Sequence, residues 1–182
     1  MKREELFGEK VIELRILEFK SGSNLYGIDI KDIREIMPYD GDCTSIPNSH
    51  PYIEGMIMPR DFIIPIVNVT KALNISDDYV DNNTTDDVYD EDDTYDEVDE
   101  FDVLKGVNML VVTSIKQQNI GLYVNRVEGI QKITNRDIRE AGANLTTPNT
   151  EAVLGIYESN GREVEIIDFR KIFSEINPNI NF

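Results

Sequence analysis

Residue types that do chemistry are scarce in this sequence. His50 is the only histidine and Cys43 the only cysteine in 182 residues. His50 sits in "PNSHP", a loop sequence with none of the partners that orient and tune a general base, so it reads as an ordinary loop residue. Cys43 has no basic neighbour in the chain to lower its thiol pKa. A zinc site needs more His and Cys than are present. No G-x-S-x-G, Walker or dinucleotide glycine pattern occurs. Carboxylates are plentiful, but a helix–loop–helix calcium loop needs a glycine at its sixth position, and the acidic run 77–102 has no glycine. Paired acids that cleave glycosides stand in structured clefts, not in such a run. The sequence predicts no catalytic residue, no cofactor and no metal site.

What stands out instead is a charge set between apolar runs. In "YIEGMIMPRDFIIPIVNV", residues 52–69, Arg60 lies between Met58 and Phe62. Two apolar runs bounded by polar residues predict two buried strands with Pro59-Arg60-Asp61 as the turn. Arg60 is then either a solvated turn residue or a group displayed to a partner.

The elements that position these residues follow from periodicity. Residues 11–19 alternate Ile12, Leu14 and Ile16 against Glu13 and Arg15, a strand pattern. "KSGSN" supplies a hairpin turn with Gly22 free to take positive φ, and "LYGIDI" a second strand. In "KDIREIMP" the spacing of Ile30, Ile33, Ile36 and Met37 predicts a short helix ending at Pro38. "VNMLVVTSI" and "IGLYVNRV" predict a hairpin, and "TNRDIREAG" a brief helical turn capped by Thr134 with Asp137 three residues on. "AVLGIYE" and "REVEIIDF" predict another hairpin across Asn160-Gly161. Phe169, Ile172, Phe173 and Ile176 form a helical stripe with Asp168 as N-cap. Eight to ten short strands in two hairpin-rich halves, with three short helices, predict small antiparallel barrels.

Charge divides the chain. Net charge is −17, yet 14 of the 35 acids fall within 77–102, where there is no Lys or Arg. The remaining 21 acids meet 18 bases, so the rest is near neutral and offers no basic face for nucleic acid. Lacking period and hydrophobic content, 77–102 is expected to be a disordered insertion, although Tyr79, Tyr89, Tyr95 and Phe101 among the acids also suit an interaction segment. No apolar run approaches the ~20 residues of a membrane helix. The opening "MKREELFGEK" lacks the apolar core of a signal peptide. A single cysteine precludes an internal disulfide, and a cytoplasmic location is expected.

Three stretches resemble the CheW-like chemotaxis adaptor domain: "FKSGSNLYGIDIKDIREIM", "IPNSHPYIEGMIMPRDFIIPIVNV" and "IGLYVNRVEGIQKI". "NSHPYIEGMIM" and the ending "DFRKIFSEINPN" are more similar to the N-terminal domain of CheV than to single-domain CheW. The resemblance implies an all-β fold with short helices: two interlocked five-stranded SH3-like barrels and a C-terminal helix. It covers one domain over 8–177, with 77–102 inserted and 178–182 as a tail or the start of a linker. It implies a non-catalytic scaffold linking the tips of methyl-accepting chemoreceptors to the regulatory domain of the histidine kinase CheA, at receptor arrays on the inner face of the membrane. Two alternatives stay open: an adaptor whose acidic loop senses cations or a basic partner, and the adaptor half of a longer CheV carrying a phosphorylatable receiver.

Position by position, the resemblance implies receptor contacts at Ile33, Glu35, Ile36, Arg60, Val124, Val127 and Ile130. It implies kinase-facing positions at Asp42, Pro47 and Gly55. Ile36, Val124 and Val127 also repeat as core residues would, Gly55 also suits a backbone bend, and Glu35 with Arg60 also suits an exposed ion pair. Four positions depart from the pattern. Pro59 and Asp61 replace a leucine and a glycine around the arginine, and Asn68 and Asn125 replace acids.

Overall fold

The computed structural model describes residues 6–59, 62–73, 107–115, 118–142 and 145–177. Arg60 and Asp61, the acidic segment 77–102 and the tail 178–182 lie outside the described residues.

Among the described residues, ten strands form two five-stranded sheets. The first contains β1 (Glu13–Ser21), β2 (Asn24–Asp29), β8 (Arg126–Thr134), β9 (Val153–Ser159) and β10 (Arg162–Ile167), in the order β8-β1-β2-β10-β9. The second contains β3 (Ile33–Pro38), β4 (Ile53–Ile57), β5 (Ile64–Asn68), β6 (Met109–Ile115) and β7 (Gln118–Val124), in the order β3-β6-β7-β5-β4. The chain builds two strands of the first sheet, all of the second, and then completes the first. Interlocking of the two lobes is this return.

Local chemistry accounts for the turns. Gly22 (φ 61°) turns β1 into β2; Asn160 (φ 51°) and Gly161 (φ 73°) turn β9 into β10 with the two positive φ values of a tight hairpin. Asn68 caps the one-turn helix α1 (Val69–Ala72), accepting from the Lys71 N–H at 3.1 Å. Asp168 caps α2 (Phe169–Ile176), accepting from the Arg170 N–H at 3.0 Å. Thr134 donates to Asp137 through both N–H (2.7 Å) and hydroxyl (2.8 Å), closing the short 3-10 turn expected there.

The expected helix over Ile30–Met37 is absent. A single 3-10 turn (Ile30–Asp32) leads into strand β3. β3 pairs Ile33 with Thr113, Glu35 with Val112 and Ile36 with Val111, so Arg34 is an extra residue, a bulge. Skipping one residue puts Ile33 and Ile36 on the same face of the strand. The i, i+3 spacing that imitates a helix is the footprint of this bulge.

The cores show how the lobes hold together. Leu14, Ile16, Val164 and Ile166 fill the first barrel, and Ile66, Leu110 and Tyr39 the second. The largest cluster lies between them. Leu17, Phe19 and Ile28 of the first sheet meet Met109, Val111, Leu122 and Val124 of the second, covered by Phe169, Ile172 and Phe173 of α2. β1 is therefore buried on both faces beyond Arg15, which simple alternation did not require. At Asn125, between β7 and β8, the chain crosses back. Its N–H donates to Lys20 O (3.0 Å) and its side-chain oxygen accepts from the Gly22 N–H (2.8 Å), while Ser21 and Thr70 share a 2.7 Å hydroxyl hydrogen bond across the lobes.

Candidate functional site: the interlobe margin and the mouth of the second barrel

β3 carries the functional geometry, because its bulge sorts neighbouring residues onto two faces. On one face Ile33 and Ile36, both half-buried, pack on the interlobe core together with Ile30. Val124 and Val127 belong to the same core and are only 1% and 3% exposed, so they offer a partner almost no surface. Ile130, opposite Leu17 on β8, is 46% exposed. The apolar members of the expected receptor set thus divide into a buried floor (Val124, Val127), a half-buried margin (Ile33, Ile36) and one outward side chain (Ile130).

Glu35 stands on the opposite face. It is exposed and lines a cavity of about 340 Å³ at the open end of the second barrel, with Arg34, Met37, Pro59, Phe62, Ile64 and Asn119. Pro59 and Phe62 flank Arg60 and Asp61 in sequence. Sequence reasoning missed Arg34. Its Nη1 donates to the Asn119 side-chain oxygen (2.8 Å), and its guanidinium carbon lies 5.4 Å from the centre of the Phe62 ring, within cation–π range. The only sequence signal was Arg34 itself, and the helix reading pointed it elsewhere.

The expected kinase-facing positions lie along one loop and the strand beneath it. Asp42 and Pro47 are exposed. Gly55 is buried under the loop, because Thr44 bridges Met56 with two backbone hydrogen bonds (2.9 and 2.8 Å). A Cβ at Gly55 would sit 2.6 Å from Thr44 O and 2.7 Å from Cys43 Sγ. Absence of a side chain lets the loop lie down. His50 belongs to the same loop: its Nδ1 accepts from the Tyr52 N–H (3.3 Å), and its ring stacks edge-on against Tyr52 at 4.4 Å.

Polar groups inside the fold are engaged in structure. Glu18 accepts from the Tyr157 hydroxyl at 2.6 Å; burial, then the neighbouring Glu18 carboxylate, pushes that phenol far above its usual value. Glu165 accepts from Thr146 N–H and hydroxyl (both 2.7 Å) and from the Thr147 hydroxyl. Asp32 holds Arg170 of α2 at 2.6 and 3.2 Å; burial alone would raise its pKa, but hydrogen bonding to the guanidinium, together with further positive charge, lowers it overall. Asn68, where the family pattern has an acid, donates to Glu54 Oε1 (2.7 Å), a contact a second carboxylate would oppose. No group of three or more His, Cys, Asp or Glu among the described residues is placed to hold a metal ion. None of their helices is long and apolar enough to cross a membrane.

Two barrels sharing a core, with an apolar margin and a charged mouth on opposite faces of one strand, define a binding module. The chain belongs to the CheW-like domain family, whose model matches residues 15–177. It is 27% identical to the chemotaxis protein CheW of Thermotoga maritima, over 90% of each chain. It is 23% identical to CheW of Treponema pallidum, over 89% of this chain and 83% of that one. Chemotaxis protein CheV1 of Helicobacter pylori is 25% identical over 91% of this chain, which spans about half (50%) of CheV1. CheW and CheV relatives thus stand at similar identity, and the expected lean towards CheV is not resolved by them. The crystal structure of the scaffolding protein TtCheW from Thermoanaerobacter tengcongensis superimposes with a TM-score of 0.67 at 25% identity, covering 91% of this chain and 95% of that one. The function is that of a chemotaxis adaptor.

Proposed function

We propose that this protein is a non-catalytic coupling scaffold that joins the tips of methyl-accepting chemoreceptors to the regulatory domain of the histidine kinase CheA, in the cytoplasm at receptor arrays. Residues 8–177 act as one unit, because the interlobe core draws on both sheets and on α2. Family membership over 15–177 carries the reading. In it, the receptor packs on Ile33, Ile36 and Ile130, with Val124 and Val127 as the supporting floor. Glu35 and Arg60 add the charged receptor contacts, and Asp42, Pro47 and Gly55 shape the kinase-facing loop.

The test is reconstitution of the full chain with a receptor-tip fragment and a CheA regulatory domain. The expected result is binding of each at micromolar concentration and a ternary complex by size exclusion. A folded sample that binds neither overturns the reading.

A further inference from the structure

We infer that Arg34 is the charge-reading residue of the barrel mouth, and that this mouth takes a protein segment presenting a carboxylate beside bulky apolar side chains. The inference rests on the adaptor reading and deepens it by giving one of its surfaces a chemical preference.

Three observations converge. First, a β-bulge re-aims a side chain, and the bulged residue of β3 is Arg34. Without it, β3 would alternate regularly and Arg34 would share a face with Ile36. Second, the guanidinium is held but not consumed. Among the described residues its guanidinium makes one hydrogen bond, to Asn119, and one face lies over Phe62, so most of its five N–H donors have no acceptor among them and suit a planar one. Among the described residues it has no ion-pair partner, in a chain of net charge −17. Third, the surroundings are apolar and outward. Phe62, 54% exposed, lines the cavity with Arg34, as do Met37, Pro59, Ile64 and Val112; Met58 and Ile63, next to Pro59 and Phe62 in the chain, are 69% and 60% exposed.

A fixed arginine against an exposed aromatic ring, in a cavity lined largely by apolar side chains, is the composition of an interface anchor. Charge complementarity names the occupant. A carboxylate accepts two parallel hydrogen bonds from the guanidinium, while apolar neighbours on the same segment cover Met58, Phe62 and Ile63. Glu35 lines the same mouth and disfavours a second acid there, so the preference is for one carboxylate in an otherwise apolar segment.

The experiment measures binding of the full chain to a receptor-tip fragment and to a CheA regulatory domain, at two salt concentrations. Arg34→Glu, Arg34→Lys, Arg34→Gln and Phe62→Ala are compared with the unsubstituted protein. Arg34→Glu is expected to weaken one of the two partners at least tenfold and leave the other within twofold. Arg34→Gln is expected to flatten the salt dependence for that partner, and Arg34→Lys to recover part of the affinity. Exchange of the partner's matching acid for arginine is expected to restore binding to Arg34→Glu. If the unsubstituted protein binds and both Arg34→Glu and Arg34→Gln bind both partners within twofold with unchanged salt dependence, the inference fails while the adaptor reading stands. If the unsubstituted protein binds neither partner, the adaptor reading itself fails. Arg34→Gln and Arg34→Lys keep the outcome readable if the charge reversal does not fold.

Discussion

Gly55→Ala separates a packing role from a contact role at a position the family pattern places towards the kinase. The added Cβ would stand 2.6 Å from Thr44 O and 3.1 Å from Thr44 C, where ordinary contact is 3.4–4 Å. The clash is with backbone, so no rotamer change relieves it. Thr44 must retreat by most of an ångström, and it is tied to Met56 by hydrogen bonds of 2.9 and 2.8 Å. Such a retreat takes both past the ~3.2 Å limit of good geometry. Each lost bond costs about 0.5–1.5 kcal/mol net, and overpacking about 1–3 kcal/mol. Partial relaxation shares these terms, giving an expected destabilisation of about 2–4 kcal/mol. For a domain of this size that lowers Tm by roughly 5–15 °C. Urea unfolding followed by fluorescence or circular dichroism should show a lower midpoint and an unchanged slope. Binding to the kinase regulatory domain, read below the variant's Tm, should fall only modestly, because the exposed loop residues remain. An unchanged midpoint together with lost binding would refute the argument and make Gly55 a contact in its own right.

At the interlobe margin, Val127→Ala should cost about 2 kcal/mol by calorimetry, because it removes buried methyl groups at a site 3% exposed. Ile130→Ala should leave Tm nearly unchanged while weakening the receptor fragment; equal loss of stability in both would place Ile130 in the core. Arg170→Ala should destabilise by about 1–2 kcal/mol near neutral pH through loss of its two hydrogen bonds to Asp32. Because the folded pKa of Asp32 is depressed, its contribution is full above the unfolded value near 3.9 and is lost as pH falls through the folded value. The gap between the two proteins should therefore close below about pH 4, and a gap that widens there would contradict the pairing. Arg15 lies directly opposite Lys132 across β1 and β8, a like-charge pair. Lys132→Glu should raise stability by about 0.2–1 kcal/mol at low salt and less at high salt, and a loss of stability at low salt would count against this register.

Hairpins were legible in the sequence because their chemistry is local. Gly22 and Asn160-Gly161 announce turns that need positive φ, and the structure gives them that conformation. Asp168 and the stripe on α2 were legible for the same reason. β3 was not, because a bulge converts period two into a spacing of three, and periodicity cannot separate that from a helical turn. The break between β7 and β8 was also hidden. Asn125 sits inside a continuous strand-like run, and only its bonds to Lys20 and Gly22, about a hundred residues away in sequence, show the chain changing sheets. The candidate site was partly legible. Ile33, Ile36 and Ile130 were named, but their division from Glu35 by face depends on the bulge, and Arg34 could not be placed without it.

The return of the chain to its first sheet has a consequence for synthesis. β2 finds its second neighbour when Tyr26 meets Glu165 and Gly27 meets Ile166 on β10. At 5–20 residues per second, a ribosome needs roughly 7–28 s to supply that partner. Through that interval the β1–β2 hairpin waits with an unpaired strand edge, open to a neighbouring nascent chain. The second sheet also waits, since β3 pairs with β6 some 80 residues on (Ile33 with Thr113), but its last strand β7 ends at Val124, so it is complete first. Order of emergence thus sets an order of assembly: the middle of the chain closes, and its beginning is held until its end arrives.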